Sequence, residues 1–142
     1  MLFRSVSQSR YSILLYSKDD AGVETPLSAG SSRAVVSAAT STAGVLTINW
    51  AAGDFFTHTL DENVTSWSFT NLHSSPTGIA IVIRIQQDPT TPRTVAWPAS
   101  FRWIGGTDGI VSNTVNAVDV LSLISFDQGT TWIAHLNKGY AA

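Results

Sequence analysis

Histidines are the side chains of this 142-residue chain best suited to proton transfer or metal binding. His58, His73 and His135 lie far apart in the sequence, and no His-x-His or Glu-x-x-His pairing joins them. A zinc site needs several such ligands to converge on one point. We therefore expect partly exposed strand or loop histidines and no metal site, unless a symmetric oligomer brings copies of one histidine together at its axis.

The carboxylates show no pairing that is typical of acid–base catalysis. Glycoside hydrolysis, for example, needs two carboxyl groups held across a cleft. Most aspartates lie in apparent turns near Gly, Pro or Asn, where Asp accepts hydrogen bonds from backbone N–H groups: Asp54, Asp61, Asp88, Asp108 and Asp127. Asp119 instead lies within an apolar strand. Because a lone buried carboxylate is costly, we expect Asp119 to face solvent or to pair with Arg84 or Arg102.

No nucleophile is arranged for covalent catalysis. Cysteine is absent, which also excludes disulfides and thiolate metal sites. Serine and threonine are plentiful, but no Gly-x-Ser-x-Gly elbow occurs, and Gly105-Gly106 lacks the Lys and helix that follow in a phosphate-binding loop. We expect no enzymatic activity and no cofactor. A depolymerase would require a carboxylate cluster that only the fold could assemble.

The chain has five tryptophans, many for a domain of this size. Trp50, Trp97 and Trp132 alternate in phase with apolar neighbours, which indicates core positions. Trp103 stands beside a Gly-Gly loop and is the better candidate for an exposed contact. Two loops, 73–77 and 103–108, are therefore candidates for surface recognition of a host glycan, through His73, Trp103 and Asp108.

The charge content limits the classes of partner. Charged residues make up 13% of the chain, and the formal net charge is −2. No stretch groups Lys and Arg in a way that would neutralise phosphates, so nucleic-acid binding is not favoured. No segment approaches the roughly 20 apolar residues that span a bilayer, and the N-terminus does not resemble a secretory signal. A surface with so few charges is easier to understand if part of it is buried against copies or partners.

Short β-strands are the elements that must position these side chains. Ile79–Gln87 is apolar on both faces for most of its length, which is typical of a central strand. Ala117–Phe126 and Thr130–Leu136 form the clearest hairpin, joined through Asp127-Gln-Gly129. Trp103–Gly109 reads as a loop, and at most one short helical turn is expected, around Arg33–Thr40. Further strands are predicted at Tyr11–Tyr16, Val45–Trp50, Phe55–Leu60, Val64–Phe69 and Arg93–Trp97.

This pattern predicts an all-β protein, an antiparallel β-sandwich of jelly-roll-like type. Residues 1–43 are rich in turn signals and small residues, and we expect a short N-terminal arm or peripheral strands there. Residues 44–138 would form the sandwich domain. The alternative, in which the N-terminal strands belong to the same sheet, stays open.

From Gly44 onward the chain resembles a β-structured domain of tailed-bacteriophage virion proteins, of the tail fibre, spike or head-decoration type. The resemblance lies in GVLTINWAAGDFFTHTLDENVTSWSFTN, GIAIVIRIQQD, RTVAWPASFRWIGG and AVDVLSLISFDQGTTWIAHL, over residues 44–136. Its most specific parts are Arg93–Pro98 followed by Trp103–Gly106, and the Asp119–Trp132 hairpin. The resemblance implies a compact sandwich displayed on a phage particle, commonly as a trimer, with the N-terminal part attached to the particle.

The function that the resemblance implies is structural. We expect a virion protein, assembled in the host cytoplasm, that forms a homotrimer and attaches to capsid, tail or baseplate proteins. The chain has no coiled-coil heptads and no Gly-X-Y run, which favours a short tail fibre, spike, baseplate or head-decoration component. The alternative is a receptor- or glycan-binding module for host adsorption. Virion attachment or subunit contact is expected at Leu2, Phe3, Tyr11, Leu14, Leu15 and Tyr16.

Overall fold

The computed structural model describes residues 2–6, 13–18, 21–22, 24–27, 35–74 and 77–140. The chain divides into two compact units, Met1–Ser32 and Arg33–Ala142. In the described part of the first unit, three strands form an antiparallel N-terminal sheet in the order β1-β2-β3. Its strands are β1 Leu2–Val6, β2 Ile13–Lys18 and β3 Glu24–Leu27.

The second unit contains two sheets in its described residues. The large sheet has the order β10-β12-β11-β9-β7-β4 and the small sheet the order β5-β6-β8. Short 3-10 turns follow β6 and β10, at Trp50–Ala52 and Ile104–Gly106. The strands are β4 Val36–Ala38, β5 Thr40–Thr42, β6 Val45–Asn49, β7 Phe55–Thr59, β8 Ser66–Thr70, β9 Ile79–Gln86, β10 Phe101–Trp103, β11 Val118–Ser125 and β12 Trp132–Tyr140.

The all-β class is confirmed, but both of these sheets are mixed. β9, β11 and β12 pair antiparallel, whereas β4–β7, β7–β9, β10–β12 and β6–β8 are parallel pairs. Parallel neighbours need a crossover between them. Here β7 provides one, because the chain leaves the small sheet after β6, pairs in the large sheet as β7, and returns to the small sheet as β8. The turn residues before and after β7 therefore connect two sheets and do not close hairpins.

One cluster of buried side chains draws on both sheets. In β9, alternate residues are buried, and they are the four isoleucines of the strand. Leu46 and Ile48 of β6 join the same cluster from the small sheet. The rings of Phe69 on β8 and Trp132 on β12 stack with centroids 4.7 Å apart. Each aliphatic side chain buried in this way stabilises the fold by about 1.5–3 kcal/mol.

The predicted β11–β12 hairpin and the central position of β9 are confirmed. β9 has β7 on one side and β11 on the other. In the hairpin loop, Gly129 has φ 85°, a left-handed conformation that favours glycine. A Cβ at Gly129 would also collide with the side chain of Leu72. Both constraints fix the identity of this residue.

Other local predictions were wrong. Arg93–Trp97 makes only an isolated bridge, through Val95 to Val64, since the prolines at 92 and 98 lack the N–H that a longer ladder needs. Trp103, expected in a loop, ends strand β10, which pairs in parallel with β12. At most one short helical turn was expected, around Arg33–Thr40; the structure has strand β4 there, at Val36–Ala38, and two short 3-10 turns elsewhere among the described residues.

Candidate interaction surfaces

The side chains on the outward side of the large sheet follow from the alternation of buried and exposed residues along its strands. Successive residues of a strand point to opposite faces, so the buried isoleucines of β9 leave Ala80, Val82 and Arg84 pointing outward. Cα pairing places Val36, Phe55 and Val82 side by side across β4, β7 and β9. These three side chains form one apolar row across the strands.

A second outward row lies next to the first. Ala80 of β9 pairs with Ile124 of β11, and Ile124 pairs with Ile133 of β12. Val120 of β11 lies opposite Arg84 and points to the same side. We call this surface the outer face and define it by Val36, Phe55, Ala80, Val82, Val120, Ile124 and Ile133.

The outer face exposes hydrophobic side chains to solvent, and the polar residues Ser122 and His135 continue the row of Val82 across the sheet. The exposed fraction is 43% for Phe55 and Ile124, 53% for Ile133 and 64% for Val36. The strands of the large sheet, as the structure describes them, contain one carboxylate, Asp119, and it is buried on the opposite side. A monomer in water would leave this hydrophobic surface uncovered, and contiguous exposed apolar patches of this kind mark interaction sites.

Two grooves indent the outer face and share Phe55 and Val82. One has a volume of about 450 Å³ and is bounded by Arg84, Val120 and Tyr140. The other, of about 590 Å³, lies beside the turn after β6 and includes Trp50 and His73. Apolar side chains dominate both linings, so both grooves suit the side chains of a partner protein better than a highly polar ligand.

His73 is exposed on the second groove. Its ring stands edge-on to Trp50 with centroids 5.9 Å apart, and Asp54 and Thr77 line the same groove. The loop that carries His73 includes Ser75 and Pro76, which lie outside the described residues. The structure therefore places His73 at the margin of the outer face.

Trp103 and Asp108 line a separate pocket of about 300 Å³. Trp103 is half-buried, and its ring lies edge-on to Trp97 with centroids 5.1 Å apart. The indole N–H of Trp97 donates to the carbonyl oxygen of Gly109, and a Cβ at Gly109 would lie 2.8 Å from the Trp103 ring. Arg102 and Asp108 are exposed in the same lining. An aromatic wall with a guanidinium and a carboxylate at its rim suits a ligand rich in hydroxyl groups.

Comparison with models of protein families gives a match over residues 40–132, to the family described as "Putative phage tail fibre C-terminal domain". The match runs from the first residue of β5 to the first residue of β12 and covers more than half of the chain. The chain belongs to this phage tail fibre family. Searches of curated proteins and of solved structures gave no match.

This membership confirms the phage tail fibre type that the sequence resembles, and it makes the protein a tail-associated structural component of the virion. The outer face of the tail fibre domain was missed in the sequence. The apolar pattern on both faces of Ile79–Gln87 predicted a central strand, and in the structure the core covers only one of these faces. The signal for this surface was therefore present, as an apolar second face on a central strand.

The residues expected to attach the tail fibre protein to the virion lie in the N-terminal sheet. Leu2 and Phe3 are on β1, and Leu14, Leu15 and Tyr16 are on β2. Backbone pairing places Phe3 opposite Tyr16 and Leu2 next to that pair. Tyr11 lies outside the described residues. The role of these residues stays a prediction.

His58 was expected to be partly exposed, and this was wrong. It is 5% exposed and shares a hydrogen bond of 3.1 Å between its Nδ1 and the carbonyl oxygen of Ala39. The reason is the phase of β7, in which Phe56 and His58 both point to the core. His58, His73 and His135 are not brought together, and no group of three potential metal ligands occurs among the described residues.

Asp119 neither faces solvent nor pairs with an arginine, so that expectation was wrong as well. Its carboxylate is 2% exposed and accepts hydrogen bonds from the Ser112 N–H at 2.6 Å, the Ser112 hydroxyl at 2.7 Å and the Gly139 N–H at 2.9 Å. Hydrogen bonds to an ionised acceptor are roughly twice as strong as neutral ones. Asp119 thereby ties the segment before β11 to the end of β12.

Two turn aspartates have a lowered pKa. Hydrogen bonds hold the pKa of Asp88 well below its usual range, first from the Thr90 hydroxyl at 2.6 Å, then from the N–H groups of Thr91 and Thr90. In the β11–β12 loop, the Thr131 hydroxyl at 2.6 Å and the Thr131 N–H lower the pKa of Asp127. Both carboxylates act as turn acceptors, as their sequence positions predicted, and neither faces a second carboxylate in the described hydrogen-bond network.

Among the described residues, no helix is long and apolar enough to cross a bilayer.

Proposed function

We propose that this protein assembles with copies of itself, as a homotrimer, and attaches to other virion proteins through its N-terminal segment. The family match over residues 40–132 is the observation that carries the structural role. In this proposal the larger unit is a two-layer, jelly-roll-like β-sandwich displayed on the particle surface. Its single core, shared by the large and small sheets, supports the two-layer arrangement.

Self-assembly is supported by the distribution of hydrophobic side chains. Val36, Phe55, Ile124 and Ile133 leave close to half or more of their surface in water, all on one side of one sheet. The chain also has few charges to keep separate copies apart. Assembly of the chain in the host cytoplasm would bury the outer face, and the N-terminal sheet would then dock onto the tail or baseplate.

The protein acts without enzymatic catalysis in this proposal. The carboxylates with the most hydrogen bonds, Asp88, Asp119 and Asp127, each hold a turn or a strand end together. A carboxyl group engaged in this way is poorly placed to transfer a proton to a substrate. Polysaccharide incubated with the purified protein should therefore yield no new reducing ends.

Purified phage particles test the virion role directly. Mass spectrometry of extensively washed particles should detect peptides from this chain, and an antibody raised against the larger unit should label the tail in electron micrographs. Peptides that remain in the lysate and never sediment with particles would contradict the proposal. Label on the capsid would instead favour a head-decoration role.

Receptor recognition is a second candidate, and the pocket beside Trp103 favours it. Arg102 and Asp108 could donate to and accept from sugar hydroxyls while a ring stacks on the aromatic wall. Trp103→Ala would also remove packing on Trp97, so Asp108→Ala is the cleaner test, because Asp108 is exposed. Phage carrying Asp108→Ala should adsorb more slowly while virion assembly is unchanged. Adsorption at the wild-type rate by both the Asp108→Ala phage and the Arg102→Ala phage would reject recognition at this pocket.

A further inference from the structure

We infer that the outer face is the surface through which each chain packs against a neighbouring copy of the same chain. This inference rests on the self-assembly proposed above and assigns it to particular side chains. Val82 and Ile124 belong to this face and lie on the adjacent central strands β9 and β11.

The dimensions of the face lie near the lower limit for a specific interface. β9 and β11 each have eight residues, which at about 3.3 Å per residue gives a length of about 26 Å. The order of the large sheet contains six strands, and a spacing of about 4.8 Å gives a width of about 24 Å. Because the edge strands are short, the face offers roughly 500–600 Å² per chain. Specific interfaces bury about 600–1,000 Å² per partner.

The arginines of the outer side of the large sheet do not prevent burial of its hydrophobic side chains. Arg84 donates to the side chain of Gln86 at 3.1 Å, and Arg102, on the edge strand β10, donates to the carbonyl oxygen of Ala99 at 2.8 Å. Both guanidinium groups are thus held by their own chain. Arg84 and Arg102 are also exposed, so the hydrophobic side chains around Val82 and Ile124 can be covered while both guanidinium groups stay in contact with water, which avoids the cost of a buried unpaired charge.

A second copy fits this surface better than other classes of partner. In a homotrimer, the outer faces of three chains can converge on the symmetry axis, where one part of each face packs against a different part of its neighbour's. A nucleic acid or an anionic membrane would require a cluster of cations, but the outward side chains of the described strands include Arg84, His135 and, at the edge, Arg102 as scattered basic groups. The exposed hydrophobic side chains on this side match those on the same side of a neighbouring chain.

Substitution by lysine tests the face with a matched control. Ile124→Lys places a charge among the hydrophobic side chains of the outer face, and Ile104→Lys makes the same change at a residue that is 83% exposed in the turn after β10. We expect the dissociation constant of the full-length assembly, measured by sedimentation, to rise at least about a hundredfold for Ile124→Lys. The Ile104→Lys protein should assemble like the wild type.

A labelling experiment gives an independent readout that needs no disruptive change. Because the chain has no native cysteine, Ile124→Cys and Ile104→Cys each introduce a single thiol. In the assembled protein, a maleimide should react at least about tenfold more slowly at position 124 than at position 104. Dilution below the dissociation constant should remove this protection.

These experiments distinguish a failure of self-assembly from a failure of its assignment to the outer face. A wild-type chain that is monomeric at micromolar concentration would contradict self-assembly itself, and with it the role of the outer face. A wild-type oligomer that neither Ile124→Lys nor Ile133→Lys weakens, and in which position 124 labels freely, would overturn only the assignment of the face. Circular dichroism of each lysine variant, compared with wild type, shows whether a loss of assembly reflects a loss of folding.

Discussion

Asp119→Ala should destabilise the protein strongly, although its side chain lines none of the candidate binding pockets described above. The substitution removes a carboxylate that is 2% exposed and accepts three hydrogen bonds, from Ser112 N–H and hydroxyl and from Gly139 N–H. The Ser112 hydroxyl can rotate to another acceptor, but the two backbone N–H groups cannot. An unsatisfied buried donor costs about 1–3 kcal/mol, and Gly139 is exposed enough for water to compensate in part. We expect a loss of about 2–4 kcal/mol in the free energy of unfolding.

Thermal and urea unfolding at pH 7 measure this loss, with all proteins at the same concentration because self-assembly would raise the apparent stability. A loss of this size corresponds to a drop of roughly 10 °C in the midpoint for a unit of this length. Asp119→Asn should fall between wild type and Asp119→Ala, since one amide oxygen still accepts while the amide nitrogen faces a donor. Asp108→Ala, at an exposed loop carboxylate, should change stability by less than about 0.5 kcal/mol. An Asp119→Ala protein within 1 kcal/mol of wild type would refute the view that these hydrogen bonds fix the strand ends.

Two further predictions concern turns. The pKa values of Asp88 and Asp127 are lower in the folded chain than the ordinary 3.8, so their stabilisation is present above about pH 4 and is lost as the pH falls through the folded values. The urea concentration at the unfolding midpoint should therefore decline between about pH 5 and about pH 2.5, and Asp127→Asn should reduce that decline. An Asp127→Asn protein whose midpoint declines with pH as steeply as that of the wild type would contradict a role for Asp127. Gly129→Ala should cost about 1–3 kcal/mol, because φ is 85° and Leu72 leaves no space for a Cβ. Gly106→Ala, with φ 72° but open space, should cost about 1 kcal/mol, and equal unfolding midpoints for the two variants would exclude the steric component.

The β11–β12 hairpin and strand β9 were predictable because the signals that define them are local. An apolar strand, a glycine at a positive φ and a second apolar strand specify a hairpin without reference to the rest of the chain. The turn residues around β7 look similar in sequence, yet the chain changes sheets at both of them. Turn residues predict that the chain reverses or bends, but not which sheet the next strand joins. The sheet that β7 joins depends on the burial of Phe56 against strands that are distant in sequence.

The candidate sites were less predictable for the same reason. The Asp119 side chain is buried because Ser112 and Gly139 approach it, and that approach depends on the path of the segment between β10 and β11. Trp103 and Asp108 do share a pocket, whereas His73 lies with Trp50 on a different groove. The outer face could not be predicted, because the sequence does not show which side of β9 the core covers. The spacing of apolar residues is the same for a strand face that is buried in the core and for one that is exposed for a partner.

The decisive measurement for self-assembly through the outer face is the mass of the purified full-length protein in solution, determined by light scattering over a range of concentrations. We expect a mass three times that of the 15.2 kDa chain, which falls to the monomer mass for Ile124→Lys and is retained for Ile104→Lys. A wild-type protein that stays at the mass of one chain at every concentration would contradict self-assembly.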